Sequence, residues 1–175
     1  MSEVNKIKNY HDKLNPSLVS RERVRSSEDD HQLEFVDEIN GVLYINDSKS
    51  IRVTSTRYSL EAIETPVLLI LGGDDRENDY SLLGQQIKQK VIAVIYLGES
   101  SDKFLKYFAE QKMFFAKATS IRESIQIASA FARSGDAVLF SPACPSYQER
   151  DNYKSRGNDF KSVVKSLKSI AIESI

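Results

Sequence analysis

The 175 residues of this chain suit one domain with a hydrophobic core of its own, and they are few for two domains. The formal net charge is −1 and the two signs are mixed along the chain, which argues against nucleic acid or an anionic membrane as the main partner. One cysteine cannot form an internal disulfide, and no apolar run is long enough for a signal sequence or a membrane span, so we expect a cytoplasmic protein.

The first thirty residues differ from the rest of the chain. Residues 1–30 contain few large apolar side chains and show no sustained periodicity, so we interpret them as a polar tail or extension. The globular domain is expected to span 31–175. It starts with two β-rich runs, Leu33 to Ile39 and Val42 to Asn46, joined by Asn40-Gly41. That dipeptide is typical of a two-residue type I′ hairpin, because both turn positions require positive φ.

After the hairpin, helical and strand patterns alternate. Strands that alternate with helices imply a largely parallel sheet covered on both faces. We therefore predict a Rossmann-like, three-layer α/β domain with about six strands and an N-terminal β-hairpin. The remaining predicted strands are 67–71, 91–97, 113–116 and 137–140, and the predicted helices are 52–63, 80–89, 101–111, 121–132 and 158–173.

Several helix ends have recognisable capping residues. Asp79 is placed to cap the helix that starts at residue 80. Ser120 and Glu123 have the spacing of a capping box, in which each side chain bonds a backbone N–H of the other. Gly135 stands where a C-cap glycine of the same helix is expected.

Three polar segments follow predicted strands, and ligands of such sheets bind at the carboxyl ends of the strands. They are Asn46 to Arg52, Gly72 to Tyr80 and Ser141 to Gly157. In the first segment, the Asp47 carboxylate suits ribose hydroxyls and the Lys49 ammonium suits phosphate or carboxylate. The alternative is a helix-capping turn without a ligand.

The other two segments are less informative when taken singly. Gly72-Gly73 is neither a Walker A loop nor a GxGxxG fingerprint, and it fits a tight turn or a close approach to a ligand. Cys144 is either a nucleophile or, as we favour, a small buried residue. His11 and His31 are the two histidines of the chain, and neither has metal-ligand spacing, so no metal site is predicted.

Taken together and in order, the segments resemble the C-terminal domain of the Mur ligases, most closely that of the D-glutamate-adding branch. The resemblance runs from about His31 to Leu167. It rests on Ile45-Asn46-Asp47-Ser48-Lys49, on Leu71-Gly72-Gly73-Asp74, on Ser141-Pro142-Ala143-Cys144 with Ser146, and on Arg156-Gly157 with Phe160; Phe35, Asn40-Gly41 and Asn78-Asp79-Tyr80 also match.

The resemblance implies one domain of an ATP-dependent ligase of peptidoglycan synthesis. In that family ATP, with Mg²⁺, phosphorylates a UDP-sugar-linked carboxylate, and the amine of D-glutamate or a similar amino acid attacks the acyl phosphate. The partners would be the central ATP-binding domain and the UDP-sugar domain, in cis or in trans. Carried over by position, the nucleotide-facing residues would be Asp47, Lys49 and Gln32, and the substrate-facing residues would be Arg76, Ser146, Tyr147 and Tyr153.

This chain departs from the family pattern at several of these positions. Gln32 and Arg76 stand where the family usually has arginine and lysine, and Ser50-Ile51-Arg52 replaces Ala-Thr-Asn. No GxxxxGK[ST] phosphate loop occurs in these 175 residues, so they are not expected to complete a ligation alone or to hold catalytic residues by themselves. The alternative function is a free-standing, catalytically inactive binding or protein-interaction module.

Overall fold

The computed structural model describes residues 30–73, 78–99, 102–145 and 152–173. The first elements are strands β1 (Glu34–Ile39) and β2 (Val42–Asn46), which form the predicted hairpin. Its two turn residues, Asn40 and Gly41, have φ values of 52° and 78°, as a type I′ turn requires. The local turn chemistry therefore fixes the pairing of the first two strands, and the predicted hairpin is confirmed.

The other elements follow in alternation. The remaining strands are β3 (Val67–Gly72), β4 (Val91–Leu97), β5 (Phe115–Ala118) and β6 (Ala137–Phe140). The described residues form five α-helices, which are α1 (Val53–Ala62), α2 (Gly84–Lys90), α3 (Asp102–Glu110), α4 (Ile121–Phe131) and α5 (Asn152–Glu173).

One six-stranded sheet, in the order β1-β2-β6-β3-β4-β5, organises the domain. Only the β1–β2 pair is antiparallel; β2–β6, β6–β3, β3–β4 and β4–β5 are parallel. The predicted mostly parallel α/β sheet with its hairpin is therefore confirmed. The central strand β3 is buried along its whole length, which explains why its sequence is a continuous apolar run rather than an alternating one.

Two separate apolar clusters cover the two faces of the sheet. Alternate side chains of β3 point in opposite directions, so Leu69 packs in one cluster and Leu68 in the other. The first cluster receives side chains from α1, α2 and α3, including Leu60, Ile87 and Phe104. The second receives Ile125 and Phe160 among others, and thus includes α4 and α5. This is the three-layer arrangement that the sequence predicts.

The last helix begins six residues before its predicted start at residue 158. Helix α5 starts at Asn152, so Arg156 and Gly157 lie within it and not in a preceding loop. The apolar periodicity appears only from Phe160, because the first turns of α5 face the polar loops at the edge of the sheet. A pattern of apolar residues cannot mark helical turns that do not face the core.

Two smaller predictions were partly wrong. Strand β5 begins at Phe115 and not at 113, after a turn in which Lys112 has a φ of 53°. Gly135 does not cap α4: the helix ends at Ala132 in extended conformation, and Gly135, with φ 104°, donates its N–H to the Gly41 carbonyl. The positive φ of residue 135, in the turn before β6, and not a helix C-cap, favours glycine at this position.

The N-terminal caps are confirmed in modified form. The Asp79 side chain accepts from the Ser81 N–H at 3.1 Å, but the turn that it caps is a 3₁₀ turn (Tyr80–Leu83) that precedes α2. Ser120 Oγ accepts from the Glu123 N–H at 3.1 Å, whereas the Glu123 carboxylate accepts from the N–H of Thr119 and not of Ser120. The side chains thus satisfy N–H groups that no helical carbonyl reaches.

Candidate functional site

The polar segments that follow β2, β3 and β6 meet at the carboxyl edge of the sheet. Ser141 Oγ donates to the Asp47 carboxylate at 2.6 Å, and Ala143 N–H donates to the Ser50 carbonyl at 3.0 Å. The N–H of Gly72 donates to the Pro142 carbonyl at 3.0 Å. The described parts of the three segments that the sequence singled out therefore contact one another.

Asp47 is fully buried at the base of the loop after β2. One carboxylate oxygen accepts from the Leu33 N–H at 3.1 Å and the other accepts from Ser141 Oγ. Burial raises the pKa of Asp47, and hydrogen bonds from Ser141 and other internal donors oppose that rise. In this conformation, Asp47 holds the loop to β6 and to the segment before β1.

Lys49 stands at the exposed crest of the same loop, between the buried residues Ser48 and Ser50. Its backbone N–H donates to the His31 carbonyl at 3.0 Å. Within the described part of the chain, its ammonium group makes no hydrogen bond or ion pair. The loop thus fixes the backbone of Lys49 and leaves its charge available to a ligand at the edge of the sheet.

Arg156, on the second turn of α5, connects two of the loops. Its Nη2 and Nε donate to the Ser48 carbonyl at 2.8 and 3.3 Å, and its Nη1 donates to the Cys144 carbonyl at 3.0 Å. Burial lowers the pKa of Arg156 to about 10, so the guanidinium remains charged at neutral pH. One planar group with several N–H donors suits such a double contact, which a lysine cannot reproduce.

Gly157 allows α5 to approach this loop closely. A Cβ atom at this position would overlap both His31 Nδ1 and Ser48 Oγ. Glycine within a helix ordinarily costs about 1 kcal/mol relative to alanine. Here the absence of a side chain is what lets the helix, the loop and His31 pack together.

A cluster of polar residues, formed by Glu34, Asn46 and Lys161, supports the Lys49 loop. Asn46 Nδ2 donates to Glu34 Oε2 at 2.8 Å, and Asn46 Oδ1 accepts from the Ser48 N–H at 3.2 Å. Lys161 on α5 donates to the other oxygen of Glu34 at 2.8 Å. Burial alone raises the pKa of Glu34, but the hydrogen bonds from Lys161, the His31 backbone and Asn46 lower it below its ordinary value.

A crevice of about 220 Å³ opens beside these loops, between the carboxyl ends of β3 and β6. Helix α2, which follows β3, and helix α5, which follows β6, pack on opposite faces of the sheet, and ligands collect at such positions in α/β sheets. Its lining is Gly72, Gly73, Leu97, Gly98, Thr119, Phe140, Pro142 and Arg156.

The glycines of this edge have steric reasons to be glycine. Gly73 has a φ of 130°, and a Cβ there would lie 2.5 Å from the Pro145 carbonyl oxygen and 2.6 Å from Cys144 Cβ. A Cβ on Gly72 would likewise overlap the carbonyl oxygen of Leu97. The pair therefore permits close packing of the loops after β3, β4 and β6, as the sequence suggested.

Cys144 is fully buried, as expected for a small packing residue. The Asn78 side-chain amide donates to its Sγ at 2.9 Å and to the Ala143 carbonyl at 3.2 Å. Asn78 thereby ties the segment after β3 to the segment after β6. A buried thiol in this setting has a structural role.

The predicted ligand-facing residues fall into two groups. Gln32 is exposed and lies next to His31, whose carbonyl accepts from Lys49, and the half-buried Tyr153 packs edge-on against the His31 ring with centroids 5.8 Å apart. These residues thus lie in one neighbourhood with Lys49. The other predicted substrate-facing residues, Arg76, Ser146 and Tyr147, lie outside the described residues.

Sequence reasoning assigned no role to His31, Glu34, Arg156 or Lys161. Arg156-Gly157 and His31 contributed only to the resemblance, and several of the contacts that explain these residues, such as Arg156 to Ser48 and Lys161 to Glu34, join residues more than a hundred positions apart. The sequence signal for Arg156 was the arginine-glycine pair immediately before the predicted helix, and Glu34 and Lys161 had no such signal.

Two other kinds of site are absent from the described ranges. No group of three or more His, Cys, Asp or Glu residues there is arranged to hold a metal ion. No helix of the described part has both the length and the apolar character needed to cross a bilayer.

The fold and the loop edge define a class of protein: an α/β domain whose parallel strands present an exposed lysine and a crevice at their carboxyl ends. Comparison with known families specifies the class further. The family model "Mur ligase, glutamate ligase domain" matches residues 31–144, and the chain belongs to this family.

Curated relatives show which ligases of this family the chain is similar to. The chain is 45% identical over 134 residues to the UDP-N-acetylmuramoylalanine–D-glutamate ligase of Cytophaga hutchinsonii, covering 77% of this chain and 30% of that protein. It is 42% identical to the enzymes of the same name from Porphyromonas gingivalis and Christiangramia forsetii, covering 78% and 79% of this chain. The chain thus spans about 30% of the length of these relatives.

A solved structure shares the fold. It is a domain from Haemophilus ducreyi assigned to a UDP-N-acetylmuramate:L-alanyl-gamma-D-glutamyl-medo-diaminopimelate ligase. The match has a TM-score of 0.51 with 12% sequence identity, and it covers 75% of this chain and 98% of that domain. The predicted resemblance to a Mur ligase C-terminal domain is therefore confirmed, and the alternative of a free-standing module is not favoured.

Proposed function

We propose that this chain acts as the C-terminal, ligand-facing domain of an ATP-dependent ligase that joins D-glutamate to UDP-N-acetylmuramoyl-L-alanine in peptidoglycan synthesis. Identity above 40% to ligases of that name supports this assignment. The observation that carries the ligand-facing role is Lys49, an exposed ammonium group on a loop whose backbone is bound to three other segments.

In the proposed reaction this chain positions ligands and stabilises charge. The Lys49 ammonium would neutralise phosphate or carboxylate oxygens as negative charge builds up on them. Its loop is bonded to neighbouring segments before any ligand arrives, so little ordering remains to be done when the ligand binds. Gln32 and Tyr153, both neighbours of His31, would face the nucleotide and the amino acid, respectively.

The contacts of Asp47 favour a role other than direct ribose binding. Both of its oxygens accept internal hydrogen bonds and its side chain is fully buried. We propose that it acts by ordering the loop, and that a ribose contact would require Ser141 or Leu33 to release it. Arg76, Ser146 and Tyr147 remain proposed substrate-facing residues on the basis of the resemblance.

The remaining components would come from outside these residues. ATP and Mg²⁺ would be held mainly by a central nucleotide-binding domain, and the sugar nucleotide by a third domain, in cis or in trans. No metal ligand is assigned to this chain. When bound, Mg²⁺ with ATP would supply the phosphoryl group that activates the substrate carboxylate.

The test is an NMR titration of the ¹⁵N-labelled chain, first with Mg-ATP and then with D-glutamate. Saturable shifts are expected at 47–52 and near Tyr153. Lys49→Met should remove most of the affinity, whereas Lys88→Met, the same change on an exposed residue of α2, should leave it unaltered. Absence of saturable shifts at millimolar ligand, or equal affinity in both variants, would contradict the proposed role of this edge.

A further inference from the structure

His31 is enclosed by the loop that carries Lys49 and by α5. It is buried, with a φ of 66°, and its carbonyl accepts from the Lys49 N–H. Its ring Nδ1 lies 3.0 Å from Asn46 Nδ2 and 3.3 Å from Ser48 Oγ. The residue therefore contacts the loop through both its backbone and its ring.

The direction of the ring hydrogen bond follows from the surroundings of Asn46. The Asn46 oxygen accepts from the Ser48 N–H, and the Asn46 NH₂ group donates to Glu34. Both contacts fix the amide orientation, so the NH₂ group also faces His31 Nδ1 as a donor. Nδ1 must accept, which places the ring proton on Nε2 and leaves the imidazole neutral.

We propose that neutral His31 is a positioning residue that latches the Lys49 loop, and that protonation of its Nδ1 opens the latch and loosens the loop under mildly acidic conditions. A proton on Nδ1 would face the Asn46 NH₂ group, donor against donor. Relief would require Asn46 to turn over, losing its bonds to Ser48 N–H and to Glu34, or the ring to move away from the loop. That Lys49 faces a ligand rests on the proposed function, whereas the latch itself does not.

The charged groups around the His31 ring have opposite effects on its protonation. Lys161 and Lys154, both on α5, oppose protonation, whereas Glu34 on β1, with its carboxylate 4.0 Å from Nδ1, and Asp30 favour it. Burial, with the charge of Lys161, holds the pKa of His31 below its ordinary value of 6.5. Because the neutral ring is favoured in the fold, the latch is closed at neutral pH and opens as pH falls through the pKa of the folded state.

Tyr153 of α5 also packs against the edge of the His31 ring. One titratable group, however, needs to be separated from His31 in any experiment. Asp47 lies in the same loop, and burial raises its pKa, so it is the competing source of a pH response. A variant that alters His31 and retains Asp47 distinguishes the two.

The test follows the loop amides by NMR as pH is lowered from 8 to 5, without ligand. In the unaltered chain, the Ser48 and Lys49 amide signals should move with the same midpoint as the His31 ring signal. In His31→Asn they should lose most of that movement, because an asparagine oxygen can replace Nδ1 as an acceptor that does not titrate in this range. Asparagine also tolerates the positive φ of this position.

Lys161→Met supplies a second arm that leaves His31 in place. It removes the charge that disfavours protonation, so the ring midpoint and the loop amide midpoint should rise together. If the amide movement persists in His31→Asn, it comes from Asp47 and the latch is refuted. If the two midpoints separate in Lys161→Met, the ring does not control the loop. Neither arm requires a ligand, so a failed Mg-ATP titration would contradict only the proposed function.

Discussion

Arg156 is joined to Ser48 by two donors of one guanidinium group, since both Nη2 and Nε point at the Ser48 carbonyl oxygen, at 2.8 and 3.3 Å. The third contact, from Nη1 to the Cys144 carbonyl, means that a single side chain on α5 fixes the loops after β2 and β6. The carbonyl of Ser48 immediately precedes the N–H of Lys49, so the position of the proposed ligand-binding lysine depends on a helix far away in the sequence.

Removing this guanidinium should therefore destabilise the domain. Arg156→Met retains much of the apolar stem and leaves two carbonyls without a charged donor. Hydrogen bonds to charged groups contribute about 1.5–3 kcal/mol, and we expect a loss of roughly that size in the free energy of unfolding measured with urea. Arg52→Met, which alters an exposed arginine, is the matched control and should change stability by less than about 0.5 kcal/mol. Equal losses in the two variants would contradict the bridging role.

Gly157→Ala should also destabilise the fold, although alanine is the better helix former. The gain in helix propensity is about 1 kcal/mol, but the new methyl group would overlap His31 Nδ1 and Ser48 Oγ. Overpacking typically costs about 1–3 kcal/mol, so after the gain of about 1 kcal/mol we expect a net loss of up to about 2 kcal/mol in urea unfolding. Ser155→Ala, at an exposed position of the same helix, should be neutral or slightly stabilising. A stabilised Gly157→Ala would show that α5 can move away from the loop at little cost.

Local chemistry explains which parts of the structure were predictable. The hairpin was predictable because Asn40-Gly41 suits one turn type. The buried strand β3 was predictable because its apolar residues form a short continuous run that ends in glycine. Both depend on neighbours in the sequence. The start of α5 was not predictable in this way, because its first turns pack on polar loops.

The same distinction between neighbours in the sequence and distant contacts applies to the candidate site. The three strand-end segments were predicted, because carboxyl ends of parallel strands share one edge. The hydrogen bonds that support the Lys49 loop were not predicted, because they join residues from three elements and from the segment before β1. These residues are His31, Glu34, Asn46 and Lys161. Nor could the sequence show that Asp47 is fully buried with both oxygens engaged.

Ile51 offers a test of amino-acid selectivity that is independent of stability. It is 42% exposed beside the Lys49 loop, at a position where the resembling family usually has threonine. Ile51→Thr should leave unfolding unchanged within about 0.5 kcal/mol. If D-glutamate binds here, one added hydrogen bond should tighten it roughly 2- to 10-fold by calorimetry or NMR titration. Ile170→Thr, on the far part of α5, controls for the loss of an exposed isoleucine. Unaltered or weaker binding in Ile51→Thr would exclude this position from the amino-acid site.

Asp136, at the start of β6, should make stability depend on pH. It is buried, it accepts from the Arg133 N–H at 2.7 Å, and burial raises its pKa from 3.8 to about 6. A raised pKa in the fold means that the folded state binds the proton more tightly than the unfolded chain. The resulting stabilisation is complete below about pH 4 and is lost as pH rises through about 6.

Asp136→Asn removes this titration and retains an oxygen that can accept from Arg133. The unfolding free energy of the unaltered chain, minus that of the variant, should therefore fall between pH 4 and pH 6 and then level off. At 1.36 kcal/mol for each pKa unit, the fall should be at most about 3 kcal/mol. Urea unfolding at a series of pH values measures it, and contributions from Asp47 and His31 cancel because both chains retain them. A difference that is flat, or that rises with pH, would mean that the Asp136 carboxylate is stabilised in the fold by charge or solvent, contrary to its buried setting.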